Sequence, residues 1–411
     1  MRKLYLLLDE WDNDRNFAGS ELELICQSYD VTVVCNSASY MMNPSVKYFI
    51  YRRPCKLKAF VSLFRMIADI EAWNEMSLAL KEPSHKISRL YEAIRFYVNA
   101  DLFRRYLKKN GLLKDNAIYY SYWYFWKCYA VTHEIDKYPH SKVITRTHEY
   151  DLYDYTSPSG YQPFKVAMDA KLDSIIFIAE HGRDYYLKKY NRAEGDKYRL
   201  YRLGTPKPLV CLPDSTDMAA HYKQNTNTKE LIIVSCSSII ERKRVHRIAE
   251  ALSLIDDIKI KWIHFGTGDK EEELRRLCKD RLDNKENITY ELMGYIKNEE
   301  LHKYYSNNRV DVFITASASE GNPVSVMEAM SYGIPVIAPA ICNFPVMIKD
   351  CGILVSDNCS AEELALAIQE IAEMPFDEIK QLGLKAYKCW EEKFNAEKND
   401  RQFVEEVLDK L

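Results

Sequence analysis

Short apolar runs alternate with helical patterns along almost the whole chain, and this alternation restricts the fold more than any other feature. Twelve runs have the length and composition of buried strands. They cover residues 3–8, 30–35, 117–121, 142–145, 174–178, 198–202, 231–236, 259–265, 288–293, 311–315, 335–338 and 353–355. Strands separated by helices predict βαβ units and parallel sheets. Sheets of this kind bind ligands at the carboxyl ends of their strands.

The length of 411 residues suits two domains better than one. Three prolines and a polar run mark residues 204–229 as the break between them. We therefore predict one domain over 1–204, a linker over 205–228, a second domain over 229–390 and a helical segment over 391–411. We expect an α/β fold class for both domains.

Charge and cysteine content exclude several classes of protein. The formal net charge of −3 gives no overall attraction to nucleic acid. Eleven scattered cysteines without a C-x-x-C pair argue against zinc sites and disulfide frameworks, and they favour a cytoplasmic protein. The apolar run at the N-terminus ends at Asp9 and Glu10, so it indicates a first strand rather than a signal peptide.

Residues 51–110 form a long helical stretch with a basic start. Arginines and lysines surround apolar side chains over residues 52–65; the basic residues are Arg52, Arg53, Lys56, Lys58 and Arg65. A basic amphipathic helix can rest on an anionic membrane surface, although an ordinary surface helix with solvated lysines has the same composition. A membrane surface is therefore one candidate partner of this region.

The segment 311–339 contains the most informative motif. It predicts a buried strand over 311–315, a loop over 316–322 and a helix over 323–332 that stops at Gly333. Asn322 suits the N-cap of that helix and Pro323 its first position. Free backbone N–H groups around Gly321 and the helix dipole would make an anion site there.

Two glutamates frame this predicted anion site. Glu320 precedes the helix, and Glu328 lies about one and a half turns inside it among apolar residues. A carboxylate accepts two hydroxyl donors at once, so this pair suits a sugar on one side of a diphosphate and a ribose on the other. An apolar setting also means that the carboxylate of Glu328 needs a partner.

The E-x7-E pattern from Glu320 to Glu328 resembles family 4 retaining glycosyltransferases of the GT-B fold, of the kind that act in bacterial polysaccharide biosynthesis. The resemblance extends over nearly the whole chain and is strongest over 231–356. It implies two Rossmann-like domains that face a central cleft, with residues 391–411 crossing back to the N-terminal domain. It also implies that Glu320 contacts the donor sugar and that Glu328 binds the ribose hydroxyls.

The same resemblance assigns the basic loop after residue 236 to the donor diphosphate. Lys243 matches the lysine of the family, whereas the usual arginine position is occupied by Ser237 or Ser238. Arg242 or Arg244 would have to substitute for it, and cations at a helix start also favour a nearby anion on their own account. The other implied donor contacts are Gly321, Asn322, Pro323, Val324, Gly266, Gly268, Met293 and Tyr295.

Candidate acceptor residues lie in the first half of the chain. His148 and Asp151, directly after a predicted strand, resemble a histidine motif that faces donor and acceptor, so His148 joins Glu320 and Lys243 as a candidate catalytic residue. Glu180 and Arg183 resemble the next family segment, and Gly19 weakly matches an N-terminal glycine loop. Tyr122, Trp123 and Trp126 either line the acceptor pocket or fill the core.

These features predict an enzyme that moves a sugar from a nucleotide-diphosphate sugar (a UDP- or GDP-sugar) to a hydroxyl of a glycan or lipid-linked acceptor. In the family the departing diphosphate is thought to help deprotonate the incoming hydroxyl. No convincing D-x-D motif is present, so we expect no metal dependence and no cofactor besides the substrate. A catalytically inactive partner subunit and another GT-B enzyme, such as a sugar-nucleotide epimerase, are the alternatives. We expect the protein in the cytoplasm, at the inner face of the membrane if the acceptor is lipid-linked.

Overall fold

The computed structural model describes residues 1–38, 46–81, 85–208 and 230–411. The chain divides into two compact units, one formed by Met1–Arg202 with Lys398–Leu411 and the other by Leu203–Glu397. Most of the predicted linker over 205–228 lies outside the described residues. Within the described ranges no helix is both long and apolar enough to cross a membrane.

The first unit is built on a parallel sheet that has seven strands in the described part of the chain. The strands are β1 Arg2–Leu7, β2 Tyr29–Cys35, β3 Lys47–Ile50, β4 Ala117–Ser121, β5 Lys142–Arg146, β6 Ser174–Phe177 and β7 Tyr198–Leu200. Their order across the sheet is β3-β2-β1-β4-β5-β6-β7. The order reverses between β1 and β4, so the switch point of this doubly wound sheet lies there.

Helices cover both faces of this sheet. They are α1 Trp11–Ser28, α2 Lys56–Ile67, α3 Ile70–Lys81, α4 Lys86–Lys109, α5 Trp126–Thr132, α6 Glu149–Leu152, α7 Lys165–Lys171 and α8 Glu180–Lys189, with short 3-10 turns at Ile135–Lys137 and Asp154–Thr156. The helical stretch predicted over 51–110 is thus divided into three helices, α2, α3 and α4. Asp69 separates the first two, and its carboxylate caps the backbone N–H groups of Glu71 and Ala72 at the start of α3.

The second unit has its own parallel sheet, with six strands among the described residues. They are β8 Glu230–Cys236, β9 Lys259–Phe265, β10 Ile288–Gly294, β11 Val312–Ile314, β12 Val336–Pro339 and β13 Gly352–Val355. The order is β10-β9-β8-β11-β12-β13, with the switch point between β8 and β11. The predicted α/β class with two parallel sheets is confirmed.

The helices of the second unit pack on both faces of its sheet. They are α9 Val245–Ser253, α10 Glu271–Leu282, α11 Asn298–Asn307, α12 Val324–Ser331, α13 Phe344–Ile348, α14 Ala361–Glu373 and α15 Phe376–Lys393, after a 3-10 turn at Glu241–Lys243. Apolar residues recur at helical spacing in these segments. In α9, for example, Val245, Ile248 and Leu252 are buried in one core cluster.

The C-terminal segment predicted as one helix over 391–411 is divided. Helix α15 ends at Lys393, and α16 runs over Ala396–Glu406 before a 3-10 turn at Leu408–Lys410. From Lys398 onward the segment packs on the sheet of the first unit, where Phe403 and Leu408 are buried beside β1 and β4 residues. The hydroxyl of Tyr29 donates to Asp409 over 2.7 Å and fixes the end of the segment.

Candidate functional site

Two loops meet at the switch point of the second sheet. Strands β8 and β11 are hydrogen-bonded neighbours, with Val312 opposite Ile233 and Phe313 opposite Val234. The loop after β8 therefore emerges beside the loop after β11. The first carries the basic residues of the predicted phosphate site and the second carries Glu320. This is where doubly wound sheets bind their ligands.

Lys243 and Glu320 form an ion pair between these two loops. The Nζ of Lys243 contacts Oε1 of Glu320, and the two side chains are only 17% and 10% exposed. The sequence predicted separate contacts for them, with the diphosphate and with the donor sugar. Because each charge is partly shielded from water, removal of one partner would leave the other uncompensated. The pair brings two of the three predicted catalytic residues together.

The two arginines of the basic loop bind protein carbonyl groups. Arg242 Nη1 donates to the carbonyl of Ser319 over 2.7 Å, and the N–H of Ala318 donates back to the carbonyl of Arg242 over 2.8 Å. The guanidinium of Arg244 donates to the carbonyls of Ala316 and Ser317 at 2.8 and 3.1 Å. Both side chains thus clamp the β8 loop to the β11 loop.

Arg244 also lies at the turn that leads into α9. Its backbone adopts the left-handed conformation, with φ of 46°, as the chain turns into α9. Its Nη1 also reaches the carbonyl of Asn358 over 3.0 Å. Burial lowers the pKa of this guanidinium. The predicted substitution of Arg242 or Arg244 for the missing phosphate arginine therefore competes with contacts that these side chains already make.

The helix after the Glu320 loop begins one residue later than predicted. Helix α12 starts at Val324, and Pro323 occupies the N-cap with an extended backbone and no side-chain cap. The predicted N-cap role of Asn322 is therefore wrong. Its amide Nδ2 instead approaches the carbonyl of Leu203 at 3.4 Å, because Pro323 displaces the cap by one residue. Pro323 is buried, while Gly321, Asn322 and Val324 are partly exposed.

Glu328, inside α12, has a strongly shifted pKa. The side chain is buried, and Oε1 accepts a 2.5 Å hydrogen bond from the amide of Asn298. Nε2 of His302 lies 3.8 Å from the same oxygen. Burial raises the pKa of Glu328 to about 7, and the Asn298 amide opposes that rise. The predicted need for a partner is met by Asn298, and His302 lies on the same face of α11; the sequence singled out neither residue.

The two glycines after β9 serve packing between loops. Gly266 has φ of +145°, and a Cβ there would lie 1.8 Å from the carbonyl oxygen of Ser237. A Cβ at Gly268 would lie 2.2 Å from the carbonyl oxygen of Ile239. The structure thus explains both glycines by close approach to the β8 loop, where the sequence suggested approach to a nucleotide. Ser238, at the tip of that loop, is exposed.

Met293 and Tyr295 lie at the end of β10, which is the edge strand of the sheet. Both side chains are exposed. Gly294 between them has φ of +74°, and its carbonyl accepts a 2.8 Å hydrogen bond from the N–H of Gly266. The predicted base contacts are thus accessible at the carboxyl edge of the same sheet.

In the first unit, His148 lies directly after β5 and begins the short helix α6. Nδ1 of His148 is 3.7 Å from Oδ2 of Asp151, and neither ring nitrogen makes a hydrogen bond within the described residues. The carboxylate of Asp151 is fully buried and accepts from the N–H groups of His148 and Tyr124 at 2.6 and 2.8 Å. Asp151 therefore shapes the histidine loop from inside the unit.

The aromatic candidates differ in exposure. Tyr122 is buried against Tyr120 and His148, so the structure places it in the core. The ring of Trp123 is half-buried and packs against that of His148, with the centroids 4.2 Å apart and the planes tilted by 37°. Trp123 and Trp126 line a cavity of about 420 Å³ at the switch point of the first sheet.

Three further acceptor candidates take other positions. Gly19 lies inside α1, so the predicted glycine loop is wrong; Ala18, Leu22 and Ile25 form a buried stripe that continues the helix through it. Glu180 starts α8 and pairs with Arg202. Arg183 lies 3.6 Å from the carboxylate of its neighbour Asp184.

A buried charged network lies beneath the histidine loop, and the sequence did not indicate it. Arg146 Nη2 is 2.6 Å from Oε1 of Glu21, and both side chains are 1% exposed. The hydroxyl of Tyr120 bridges them, accepting from Arg146 and donating to Glu21. Asp400 of α16 faces the same cluster, and burial beside Glu21 raises its pKa to about 7. The network joins α1, β4, β5 and the C-terminal helix of this unit.

Solved structures share the whole fold. The chain superposes over its full length on sucrose-phosphate synthase from Thermosynechococcus elongatus, with a TM-score of 0.67, 17% identity and 99% of that chain covered. It also superposes on the Anabaena protein HepE in complex with UDP and glucose, with a TM-score of 0.65, 13% identity and full coverage of both chains. At these identities the similarity shows the fold alone, which is that of GT-B glycosyltransferases, with two Rossmann-like domains.

Sequence comparison identifies the domain that carries the Lys243–Glu320 pair. Residues 218–388 match the family model "Glycosyl transferases group 1". The "Putative colanic acid biosynthesis glycosyltransferase WcaL" of Escherichia coli is 26% identical over 221 residues, which cover 50% of this chain and 52% of that protein. The chain thus spans about half the length of this curated relative. Residues 218–388 are therefore similar to glycosyltransferase group 1 domains, and about half of the chain is similar to a protein named for colanic acid biosynthesis.

Proposed function

We propose that this protein is a retaining, metal-independent glycosyltransferase. It would move a sugar from a nucleotide-diphosphate sugar to a hydroxyl of a glycan or lipid-linked acceptor in the synthesis of a surface polysaccharide. The observation that carries this proposal is the Lys243–Glu320 pair at the switch point of a glycosyltransferase group 1 domain. Glu328 lies in the helix that follows, where its carboxylate can accept hydroxyl donors.

Each residue of this site has a task in the proposed reaction. The Nζ of Lys243 would move from Glu320 to the departing diphosphate and stabilise the charge that develops there. Glu320 would then accept hydroxyls of the donor sugar, and Glu328 those of the ribose. Because the pair satisfies both charges before the donor binds, exchange of partners avoids an unpaired buried charge in either state.

The donor and acceptor classes rest on relatives. HepE was solved with UDP-glucose, and this fold neighbour supports a nucleotide sugar as donor. The WcaL relative is named for colanic acid biosynthesis, which supports a surface polysaccharide as product. A lipid-linked acceptor would place the reaction at the inner face of a membrane. The absence of a convincing D-x-D motif motivates the metal-independent assignment.

A thermal-shift screen of UDP-, GDP- and ADP-sugars, followed by a transfer assay, tests the proposal. Glu320→Gln should lose transfer by roughly tenfold or more with the melting temperature retained, because the neutral amide cannot replace the carboxylate at the sugar. The matched control is Glu272→Gln, an exposed glutamate on α10 of the same unit. Product with an inverted anomeric centre, or full activity of Glu320→Gln, contradicts the assignment.

A catalytically inactive subunit that only binds a sugar nucleotide or another transferase is the second candidate. It is favoured by Ser237 and Ser238 at the usual arginine position and by the carbonyl contacts of Arg242 and Arg244. Titration calorimetry separates the two. Binding of a nucleotide sugar without turnover in the presence of any acceptor would support the inactive subunit, whereas sugar transfer would exclude it.

A further inference from the structure

Helices α2 and α3 present large apolar side chains to solvent. Phe60 and Phe64 of α2 are 55% and 60% exposed, and their rings contact each other edge to face at 5.0 Å. Ile67, Ile70 and Trp73 continue the exposed surface across the turn into α3. We refer to these five residues as the apolar ridge. Contiguous exposed apolar surface of this kind marks an interaction site.

The inward face of α2 shows that this exposure is not a consequence of ordinary helix packing. Ser62 is fully buried, and its hydroxyl donates to the carboxylate of Asp101 over 2.8 Å. Arg105 Nε pairs with the same carboxylate at 3.1 Å. A surface helix normally buries its aromatic residues and exposes its serines. In α2 the buried face combines Ser62 with Leu63 and Met66 while both phenylalanines are exposed, and the polar contacts of Ser62 fix this orientation.

The turn between the two helices is also fixed. The indole N–H of Trp73 donates to the carbonyl of Ile67 over 2.7 Å. The hydroxyl of Tyr97 donates to Asp69 over 2.8 Å and ties the turn to α4. The apolar ridge is therefore a preformed surface, and a partner can bind it without further ordering of the turn.

The charges around the ridge separate by sign. The acids of residues 52–81 all turn inward: Asp69 to Tyr97 and His133, Glu71 to the hydroxyl of Tyr129, and Glu75 to Tyr161 and the N–H of Phe164. The basic side chains of Arg52, Arg53 and Lys58 are exposed. The outward surface thus combines apolar and aromatic side chains with positive charge.

We infer that the apolar ridge and these three cations form a docking surface for an anionic lipid bilayer. Amphipathic helices bind in the headgroup region by burying aromatic and aliphatic side chains and by pairing cations with anionic lipids. The inference extends the proposed function and rests on it, because the docking surface would bring the enzyme to a lipid-linked acceptor. The docking itself requires only the first unit.

Flotation with vesicles tests the inference on the full chain. The protein should bind vesicles of phosphatidylcholine doped with phosphatidylglycerol, and more weakly vesicles of phosphatidylcholine alone. Phe60→Ser with Phe64→Ser should lower binding by roughly tenfold or more, because two aromatic side chains no longer enter the bilayer. The matched control replaces Leu366 and Phe376, two exposed apolar residues of the second unit, by serine and should leave binding unchanged.

Two further measurements identify the occupant. Replacing Arg52 and Arg53 by glutamine should weaken binding to the anionic vesicles and reduce its dependence on salt. Brominated acyl chains should quench tryptophan fluorescence in the wild type, and Trp73→Phe should remove the quenched component. A dimer in light scattering that dissociates in the Phe60→Ser, Phe64→Ser variant would overturn the inference, since a second copy would then occupy the ridge.

Nucleotide-sugar binding without vesicles separates this inference from the proposed function. Titration of a nucleotide sugar into the wild type and into the Phe60→Ser, Phe64→Ser variant should give the same affinity. If vesicle binding is absent while that affinity persists, the docking surface alone is refuted. If vesicle binding persists while no nucleotide sugar binds, the proposed function fails and the docking surface stands.

Discussion

The raised pKa of Glu328 predicts that the folded protein is less stable at high pH than at low pH. Burial moves this pKa from its ordinary value of 4.5 to about 7. The folded state therefore favours the protonated acid, and this contribution is complete below pH 4.5 and lost as the pH rises through 7. A shift of this size corresponds to about 3 kcal/mol of destabilisation at high pH. Glu328→Gln, which resembles the protonated acid, should recover much of that loss at pH 8 and little at pH 5.

The same group should control donor affinity in the opposite direction. If the carboxylate accepts the ribose hydroxyls, only the ionised form is competent, and its population rises from about one tenth at pH 6 to about nine tenths at pH 8. The dissociation constant of a nucleotide sugar should fall by roughly tenfold over that range. Wild type thus gains affinity where it loses stability, a combination that a purely structural glutamate does not produce.

We expect the pH dependence between pH 6 and 8 to come mainly from Glu328 rather than from its neighbours. Burial lowers the pKa of His302 from 6.5, which favours the neutral imidazole, and burial raises the pKa of Cys236 to about 12. Asn298 does not titrate. The ligand in this experiment must be a nucleotide sugar, because the terminal phosphate of a free nucleotide has a pKa of about 6 and would add its own pH dependence.

Calorimetric titrations at pH 6, 7 and 8, paired with urea unfolding at pH 5 and 8, make the measurement. Glu328→Gln should bind the donor weakly at each pH, and the tenfold trend should vanish. Glu299→Gln changes an exposed glutamate on α11, the helix that also holds Asn298, and should behave as wild type. Equal wild-type affinity at pH 6 and 8, or a Gln variant with the wild-type trend, would refute the assignment of Glu328 to the ribose.

The structure supports four further predictions. Lys243→Met should lower transfer by about 100-fold at saturating donor, because the departing diphosphate loses its cation, and Lys243→Arg should restore part of the rate in the same assay. Gly266→Ala should lower the free energy of unfolding by about 3 kcal/mol in urea titrations, whereas Gly195→Ala, with open space around it, should have little effect. Asp400→Asn should stabilise the protein in thermal melts at pH 8 but not at pH 5, since the raised pKa makes the ionised form costly only above about 7. Ser238→Arg should tighten nucleotide-sugar binding in calorimetry by adding a cation at the usual phosphate position, and an unchanged affinity would contradict that placement of the diphosphate.

Strand positions were predictable because a buried parallel strand is a short apolar run between helical patterns. The predicted runs over 117–121 and 259–265 coincide with β4 and β9. The sequence missed β3, Lys47–Ile50, a four-residue edge strand whose residues are partly or fully exposed. A strand of that length buries too little apolar surface to leave a pattern, and its pairing with β2 supplies what its own sequence does not.

The candidate site was predictable in position and less so in detail. The ends of β8 and β11 follow from the sequence, and strand order at a switch point brings their loops together. The partners of individual side chains depend on which atoms the two loops present to each other. The sequence therefore could not show that Arg244 binds carbonyl groups or that Asn298 and His302 of α11 face Glu328. Spacing four residues apart puts the last two on one helix face but does not say what that face contacts.

The three cations of the basic loop make different contacts. Arg242 and Arg244 hold the β11 loop through its carbonyl groups, and Lys243 between them reaches the carboxylate of Glu320. If the arginines turned to a diphosphate, the loop that carries Glu320 would lose its clamp. A lysine is suited to exchange partners, because its ammonium group is a point charge on a flexible stem, whereas a guanidinium is held by its geometry. If the proposed function holds, the loop geometry favours recognition of the diphosphate by Lys243 together with the start of α12, and we expect the loss of the usual arginine at Ser237 or Ser238 to limit how tightly a donor binds.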